Sequence, residues 1–203
     1  MIENQSQLAW QNHYRKEKSR LVFPDENVIR FLKGNEVPRG LLDLGCGPGR
    51  HSIVAKSMGF EVTACDFIGN ELIDNHKFYR EDINWVQTNV TSLPFKENSF
   101  ETILCWGVLH YLDEENLQKS IKEIFRVLKP NGIFFASMRA KEDTHLSFQA
   151  TQGDLTNSNH NYFSQSEVLN FFDNYGKVRQ GYISRIPLGS TKVVAHHTVE
   201  VKT

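Results

Sequence analysis

A chain of 203 residues with 23 lysines and arginines against 24 aspartates and glutamates has a formal charge of −1, so no broad field draws it toward nucleic-acid phosphates or anionic lipid. No apolar run approaches the ~20 residues that span a bilayer, and the polar start Met1-Ile2-Glu3-Asn4-Gln5 lacks a signal peptide's apolar core, so neither membrane nor nucleic acid is an expected partner. The length suits one domain over residues 1–203, and three cysteines without a C-x-x-C pair (Cys46, Cys65, Cys105) read as small core residues in a reducing, cytoplasmic setting.

In chain order, helices and strands alternate, the pattern of a parallel sheet covered on both faces. After Pro24, Asp25 can cap a helix carrying Val28, Phe31 and Leu32 on one side. Leu41-Leu42-Asp43-Leu44 reads as a buried strand that runs into Gly45-Cys46-Gly47-Pro48-Gly49, with helical residues His51 to Met58 beyond. Glycines in that turn let a ligand approach the main chain, and free N–H groups at the following helix favour an anionic group. A second strand, Glu61 to Cys65, ends in Asp66. Asp66 lies about 20 residues beyond the first glycine, where an acid at a neighbouring strand tip can accept hydrogen bonds from ribose hydroxyls; capping the next helix is the plainer alternative. A dinucleotide fingerprint G-x-G-x-x-G would place its third glycine at position 50, where Arg50 stands; the spacing G-x-G-x-G disfavours a nicotinamide-dependent oxidoreductase.

Phe100 to Trp106 is a further apolar strand, followed by Gly107-Val108-Leu109-His110-Tyr111. His110 is a candidate general base because imidazole titrates near neutrality; packing at a helix start is its structural alternative. Leu117, Ile121, Ile124, Phe125 and Leu128 recur at helical spacing over Glu114 to Leu128, with acids in the first turn and Lys129 at the end. Residues 140–162 are the least regular stretch, a lid over a site or a surface excursion. Ser164-Gln165-Ser166-Glu167 is a capping box, with Phe163 and Val168 as hydrophobic staple, and predicts a helix from about Ser166. Strands follow at about Lys177 to Ile186 and Lys192 to Val201, joined by a short turn with Pro187 and Gly189 and therefore antiparallel. His196 and His197 point to opposite faces of the last strand and cannot jointly hold one metal; the other histidines are scattered, so no metal site is expected.

Asp43 two residues before Gly45, together with G-x-G-x-G, resembles motif I of the class I, Rossmann-like S-adenosylmethionine-dependent methyltransferases. The resemblance continues through Val62 to Asp66 (second strand and ribose-binding acid), Thr88 to Phe95 (the third-strand segment bordering adenine), Phe100 to Trp106 (fourth strand) and Leu128 to Gly132 (the turn into the fifth). It spans about Trp10 to Phe172, with one departure: Asn89 stands where family members often carry Asp. It implies an α/β three-layer sandwich with a mostly parallel seven-stranded sheet and an antiparallel last strand pair. It implies S-adenosylmethionine as cofactor, with Tyr14, Asp43, Gly45, Cys46, Gly47, Asp66, Phe67, Asn89, Val90, Cys105 and Trp106 on the cofactor side. Residues 1–35 would cap the site, since an early aromatic segment in this family closes over the cofactor. Cys105-Trp106-Gly107-Val108 is not the (N/D)-P-P-(Y/F) of the amino and amide methyltransferases, and the acidic metal cluster of the catechol type is missing. The resemblance therefore implies the broad small-molecule (type 11-like) branch, with Trp10, Tyr111 and Arg139 as substrate-pocket candidates. A sulfonium methyl is already activated, so alignment of donor and acceptor can carry the reaction, with His110 assisting where a proton must leave. A cofactor-binding protein without catalysis is the rival class.

Overall fold

Seven strands, β1 (Gly40–Leu44), β2 (Glu61–Asp66), β3 (Asn84–Gln87), β4 (Phe100–Trp106), β5 (Leu128–Arg139), β6 (Lys177–Arg185) and β7 (Val194–Lys202), form one sheet in the order β3-β2-β1-β4-β5-β7-β6. The computed structural model describes residues 2–16, 21–34, 40–69, 82–152, 155 and 158–203. Neighbours from β3 through β5 run parallel, and β7 lies antiparallel between β5 and β6. Because β1 pairs with β2 on one side and β4 on the other, the chain order reverses at β1/β4, and a crevice opens there at the strands' carboxyl ends.

Helices α1 (Ile2–Arg15), α2 (Glu26–Gly34), α3 (Arg50–Ser57), α4 (Glu114–Val127), α5 (Thr144–Gln152) and α6 (Gln165–Phe172) accompany the sheet. Strand alternation divides the apolar residues into two cores. Leu42, Ile103 and Phe134 face one core, with Leu117, Ile121 and Ile124 of α4 and Val168 and Phe172 of α6. Leu41, Leu104 and Phe135 face the other, with Val28, Phe31 and Leu32 of α2 and Ala55 of α3. Phe31 stacks on Phe135 at 4.4 Å and 8° between planes, which anchors α2 to the middle of the sheet. This is the Rossmann-like three-layer arrangement. Among the described residues no helix is long and apolar enough to cross a membrane.

Local signals locate most boundaries. Asp113 caps α4 by accepting from Asn116 N at 2.8 Å. Ser164 and Glu167 form the reciprocal capping box, so α6 begins at Gln165, one residue before the expected start. Both staple residues, Phe163 and Val168, are buried in the first core. Three expectations change. Leu128 opens β5 instead of closing α4. β3 ends at Gln87, so Thr88 to Phe95 is a turn beyond the strand, held by Thr91 N donating to Asn89 Oδ1 at 3.0 Å. The stretch 140–162 contains α5, whose first turn is held by Asp143 Oδ1 accepting from Leu146 N at 2.6 Å. Its far end is fixed by Asn161 N donating to the His110 carbonyl at 2.8 Å. Residues 153, 154, 156 and 157 of that stretch lie outside the described residues.

Candidate active site

The turn after β1 is built by close backbone approach. Gly45 has φ of +67°, and a Cβ there would lie 2.3 Å from Val108 Cγ2 in the loop after β4. Cys46 N donates to Cys65 O at 2.9 Å, and Gly47 N donates to Asp66 Oδ2 at 2.9 Å, so the tip of β2 is tied to the turn. The other oxygen of Asp66 accepts from Ile68 N at 3.0 Å. The acid thus performs the local cap and faces the glycine turn at once. It is 5% exposed, and burial raises its pKa against the pull of its backbone partners.

Two cavities of about 500 Å³ each meet at this turn. The first lies over the ends of β1 and β2 and reaches Phe67, Asn89, Val90 and Asp113. The second lies toward β5 and β7 and is walled by Trp106, His110, Arg139 and His196. Trp10, Tyr14, Gly45, Gly107 and Tyr111 border both. The partition is aromatic: Trp10 meets Tyr111 edge-on at 4.8 Å and Tyr14 at 5.6 Å. Gln7 of α1 and Gln87 both donate to the Phe67 carbonyl, at 3.3 and 3.1 Å, which ties α1 to the rim of the first cavity.

Residues 42–136 match the family described as "Methyltransferase domain". The chain is 29% identical over 167 residues to the 2-phytyl-1,4-naphtoquinone methyltransferase of Nostoc sp., covering 75% of this chain and 67% of that protein. It is 29% identical over 129 residues to the malonyl-[acyl-carrier protein] O-methyltransferase of Enterobacter lignolyticus, covering 64% and 50%. The family match, the curated relatives and the shared fold together support a class I S-adenosylmethionine-dependent methyltransferase. The chain spans about half the length of the curated methyltransferases it matches. The fold is shared with the 1,6-didemethyltoxoflavin-N1-methyltransferase of Burkholderia thailandensis, a structure with 1,6-didemethyltoxoflavin and S-adenosylhomocysteine bound (TM-score 0.71, 19% identity, 99% and 90% of the two chains). A methyltransferase from Methanosarcina mazei shares it too (TM-score 0.70, 17% identity, 89% and 98%).

Of the residues expected on the cofactor side, Tyr14, Gly45, Asp66, Phe67, Asn89 and Val90 border the first cavity. Trp106 and Cys46 border the second instead. Asp43, Gly47 and Cys105 border neither. Asp43 is 1% exposed and accepts from Ser52 Oγ at 2.5 Å, so it holds α3 against β1 from behind the turn. Burial pushes its carboxyl up to about 6 while the Ser52 hydrogen bond and Arg50 pull the other way. Gly47 is covered by Tyr14, whose Oη lies 2.7 Å from where a Cβ would be. Cys105 points into the first core, and burial pushes its thiol up. Alternation then turns Trp106 the other way, where it stacks on Phe135 at 5.6 Å.

The substrate-side candidates Trp10, Tyr111 and Arg139 and the base candidate His110 all border the second cavity. Arg139 pairs with Asp143 at 2.7 Å. His110 is 1% exposed, and among the described residues neither ring nitrogen has a close hydrogen-bond partner; burial, with Arg139 nearby, holds its pKa well below the ordinary value against a small opposing pull from the Ser137 backbone. His196 and His197 do face opposite ways. His196 meets Trp106 edge-on at 5.4 Å, while His197 Nε2 lies 3.0 Å from the Phe163 carbonyl. Sequence reasoning missed Gln87 and Asp113 in the first cavity and Arg50, Arg185 and His196 in the second. Asp113 carried a findable signal, a cap residue just past β4. Arg185 and His196 carried none, because only the insertion of β7 beside β5 brings the last hairpin to the site.

Proposed function

We propose that this chain transfers a methyl group from S-adenosylmethionine, held in the first cavity, to a small-molecule acceptor in the second, by in-line displacement across the shared wall at Gly45 and Gly107. The observation that carries the proposal is the Asp66 carboxylate fixed on the Gly47 amide at the switch point of the sheet, where two cavities of ligand size meet. The first cavity fits the cofactor chemically. Asp66 and Asp113 line it, and no lysine, arginine or histidine does so among the described residues, which suits a ligand bearing cationic groups and hydroxyls.

When bound, S-adenosylmethionine supplies a methyl group already activated for displacement. The chain's own residues then bind, orient and exclude water. Asp66, which accepts from Gly47 N on one oxygen and Ile68 N on the other with the Phe67 amide also engaged, keeps a lone pair for a ribose hydroxyl. Phe67 and Val90 offer apolar surface, and Asn89, whose Oδ1 is engaged by Thr91 N, keeps its amide N–H groups as donors. Trp10 and Tyr14 on α1 cover the turn and exclude water from the junction. Orientation of this kind supplies ~7–11 kcal/mol of barrier lowering. His110, buried and neutral with no close partner on its ring nitrogens among the described residues, accepts the proton where the acceptor is a hydroxyl or protonated amine. All three thiols are free and buried, which supports a reducing, cytoplasmic setting.

Calorimetry with S-adenosylhomocysteine and with NAD, followed by transfer of labelled methyl from S-adenosylmethionine into a small-metabolite extract, tests the proposal. Binding of the homocysteine compound with label incorporated into a small molecule is expected. Selective NAD binding, or cofactor binding with no transfer, overturns it.

A further inference from the structure

Resting on the first cavity as the donor site, we infer that the second cavity takes an acceptor with a flat apolar body and an oxyanion, a carboxylate or a phosphate. The two cavities differ sharply in charge. Among the described residues, the donor cavity has acids alone as its ionised side chains, whereas Arg50, Arg139 and Arg185 border the second against the single carboxylate of Asp25. These arginines come from α3, β5 and β6, so the convergence is a product of the tertiary fold and not of one basic segment.

The arginines keep donors for a ligand. Arg139 gives one N–H to Asp143, a carboxylate that already accepts from Leu146 N at 2.6 Å and Ala195 N at 2.8 Å. Asp143 is therefore a buried brace for the strand ends, and the Arg139 fork, which also reaches the Tyr111 hydroxyl at the cavity wall, has further N–H groups beyond these two contacts. Arg50 spends one N–H on the Phe23 carbonyl at 2.9 Å and forms no ion pair with a described carboxylate. Arg185 is exposed and likewise has no ion pair among the described residues. On the other side, Asp25 Oδ1 is taken by Asn27, through its backbone N at 3.0 Å and its Nδ2 at 2.9 Å.

A second observation is independent of the arginines. His196 is 7% exposed and its Nε2 has no close partner among the described residues, and the ring nitrogens of His110 beside it have none there either. Buried polar atoms without partners are uncommon in native proteins and mark places where a ligand completes the hydrogen bonding. An oxyanion supplies acceptor oxygens to an imidazole N–H and to a guanidinium fork together, in the planar geometry that arginine matches. Trp106, stacked on Phe135, and the Trp10/Tyr111 pair supply flat surface for the body that carries the anion.

The test uses the wild-type chain saturated with S-adenosylhomocysteine, its binding measured first, and titrates 2-naphthoate, 2-naphthyl phosphate and 2-naphthamide by calorimetry. One of the two anions is expected to bind at least about tenfold more tightly than the amide, and which one names the group. Arg139→Gln and Arg185→Gln are each expected to weaken that anion about tenfold while leaving the amide unchanged. Arg185→Gln touches no buried partner, so it remains informative should Arg139→Gln unfold. Equal affinity for amide and anions, or full anion affinity in both variants, overturns the inference while leaving the donor site intact. Anion preference without S-adenosylhomocysteine binding overturns instead the donor-site reading, and with it the role of the anion as methyl acceptor.

Discussion

Gly45→Ala is the sharpest test of how the turn is built. The added methyl falls 2.3 Å from Val108 Cγ2, 3.3 Å from Cγ1 and 3.4 Å from Cβ, and the backbone there has φ of +67°. Val108 cannot swing clear, because a β-branched side chain has few χ1 states and any of them keeps a methyl near the turn. The left-handed conformation costs alanine ~1–2 kcal/mol, and forcing a methyl into a packed site costs a further ~1–3 kcal/mol. Together the variant should lose about 2–5 kcal/mol, a drop of roughly 4–20 °C in Tm for a chain of this size. Affinity for S-adenosylhomocysteine should fall too, since Gly45 and Val108 both border the first cavity. Differential scanning calorimetry on Gly45→Ala, Val108→Ala and the double variant separates the parts. The double variant should recover the clash but not the backbone strain, a coupling of ~1–3 kcal/mol. A Gly45→Ala protein with unchanged Tm, or a double variant whose losses simply add, would refute the reasoning.

Other predictions follow from the same structure. Phe135→Ala removes the ring stacked on Phe31 and should cost ~3–5 kcal/mol in urea unfolding; a loss below ~1 kcal/mol would mean that α2 is not held there. His110→Ala should slow methyl transfer ~10²-fold or more with little change in S-adenosylhomocysteine affinity, whereas an unchanged rate removes the histidine from the chemistry. Stability should fall as pH drops. Burial lowers His51 to about 3 and His196 to about 4, and holds His110 well below 6.5, so from about pH 6.5 downward the unfolded chain binds protons that the native chain refuses. Asp43, raised to about 6 from 3.8, acts in the opposite sense between those values, because the native chain keeps a proton there. Asp66, also raised by burial, acts with Asp43, but the three histidines outnumber the two acids, so the melting temperature should be lower at pH 5 than at pH 7. It should fall again above about pH 9, where the unfolded chain gives up thiol protons that the buried Cys46, Cys65 and Cys105 retain. A protein that is more stable at pH 5 than at pH 7 contradicts this balance.

Much of the architecture was legible because its signals are local. The apolar run Leu41 to Leu44 with glycines behind it, the Asp113 cap and the Ser164/Glu167 box each act within a few residues, and each marks the boundary it implies. Asp66 was legible through spacing alone, since parallel pairing of β1 with β2 puts the tip of one beside the turn of the other. Helix α5 was not, because Thr144–Gln152 has weak amphipathic patterning and depends on Asp143, held by Arg139 and by the β7 amide of Ala195. The division of residues between cavities was likewise hidden: Cys105 and Trp106 are neighbours in the same motif, and alternation alone sends one to the core and the other to the second cavity. The basic lining at Arg185 and His196 is a consequence of strand order, which no short segment announces.

The central claim is that Asp66, clasped to the Gly47 amide, grips the cofactor in the first cavity. Titration of S-adenosylhomocysteine into the wild-type chain and into Asp66→Ala, with circular dichroism confirming that both are folded, tests it most directly. Loss of hydrogen bonds to a charged group should weaken binding by ~1.5–3 kcal/mol, roughly ten- to a hundredfold. Equal affinity in the two folded proteins would contradict the account.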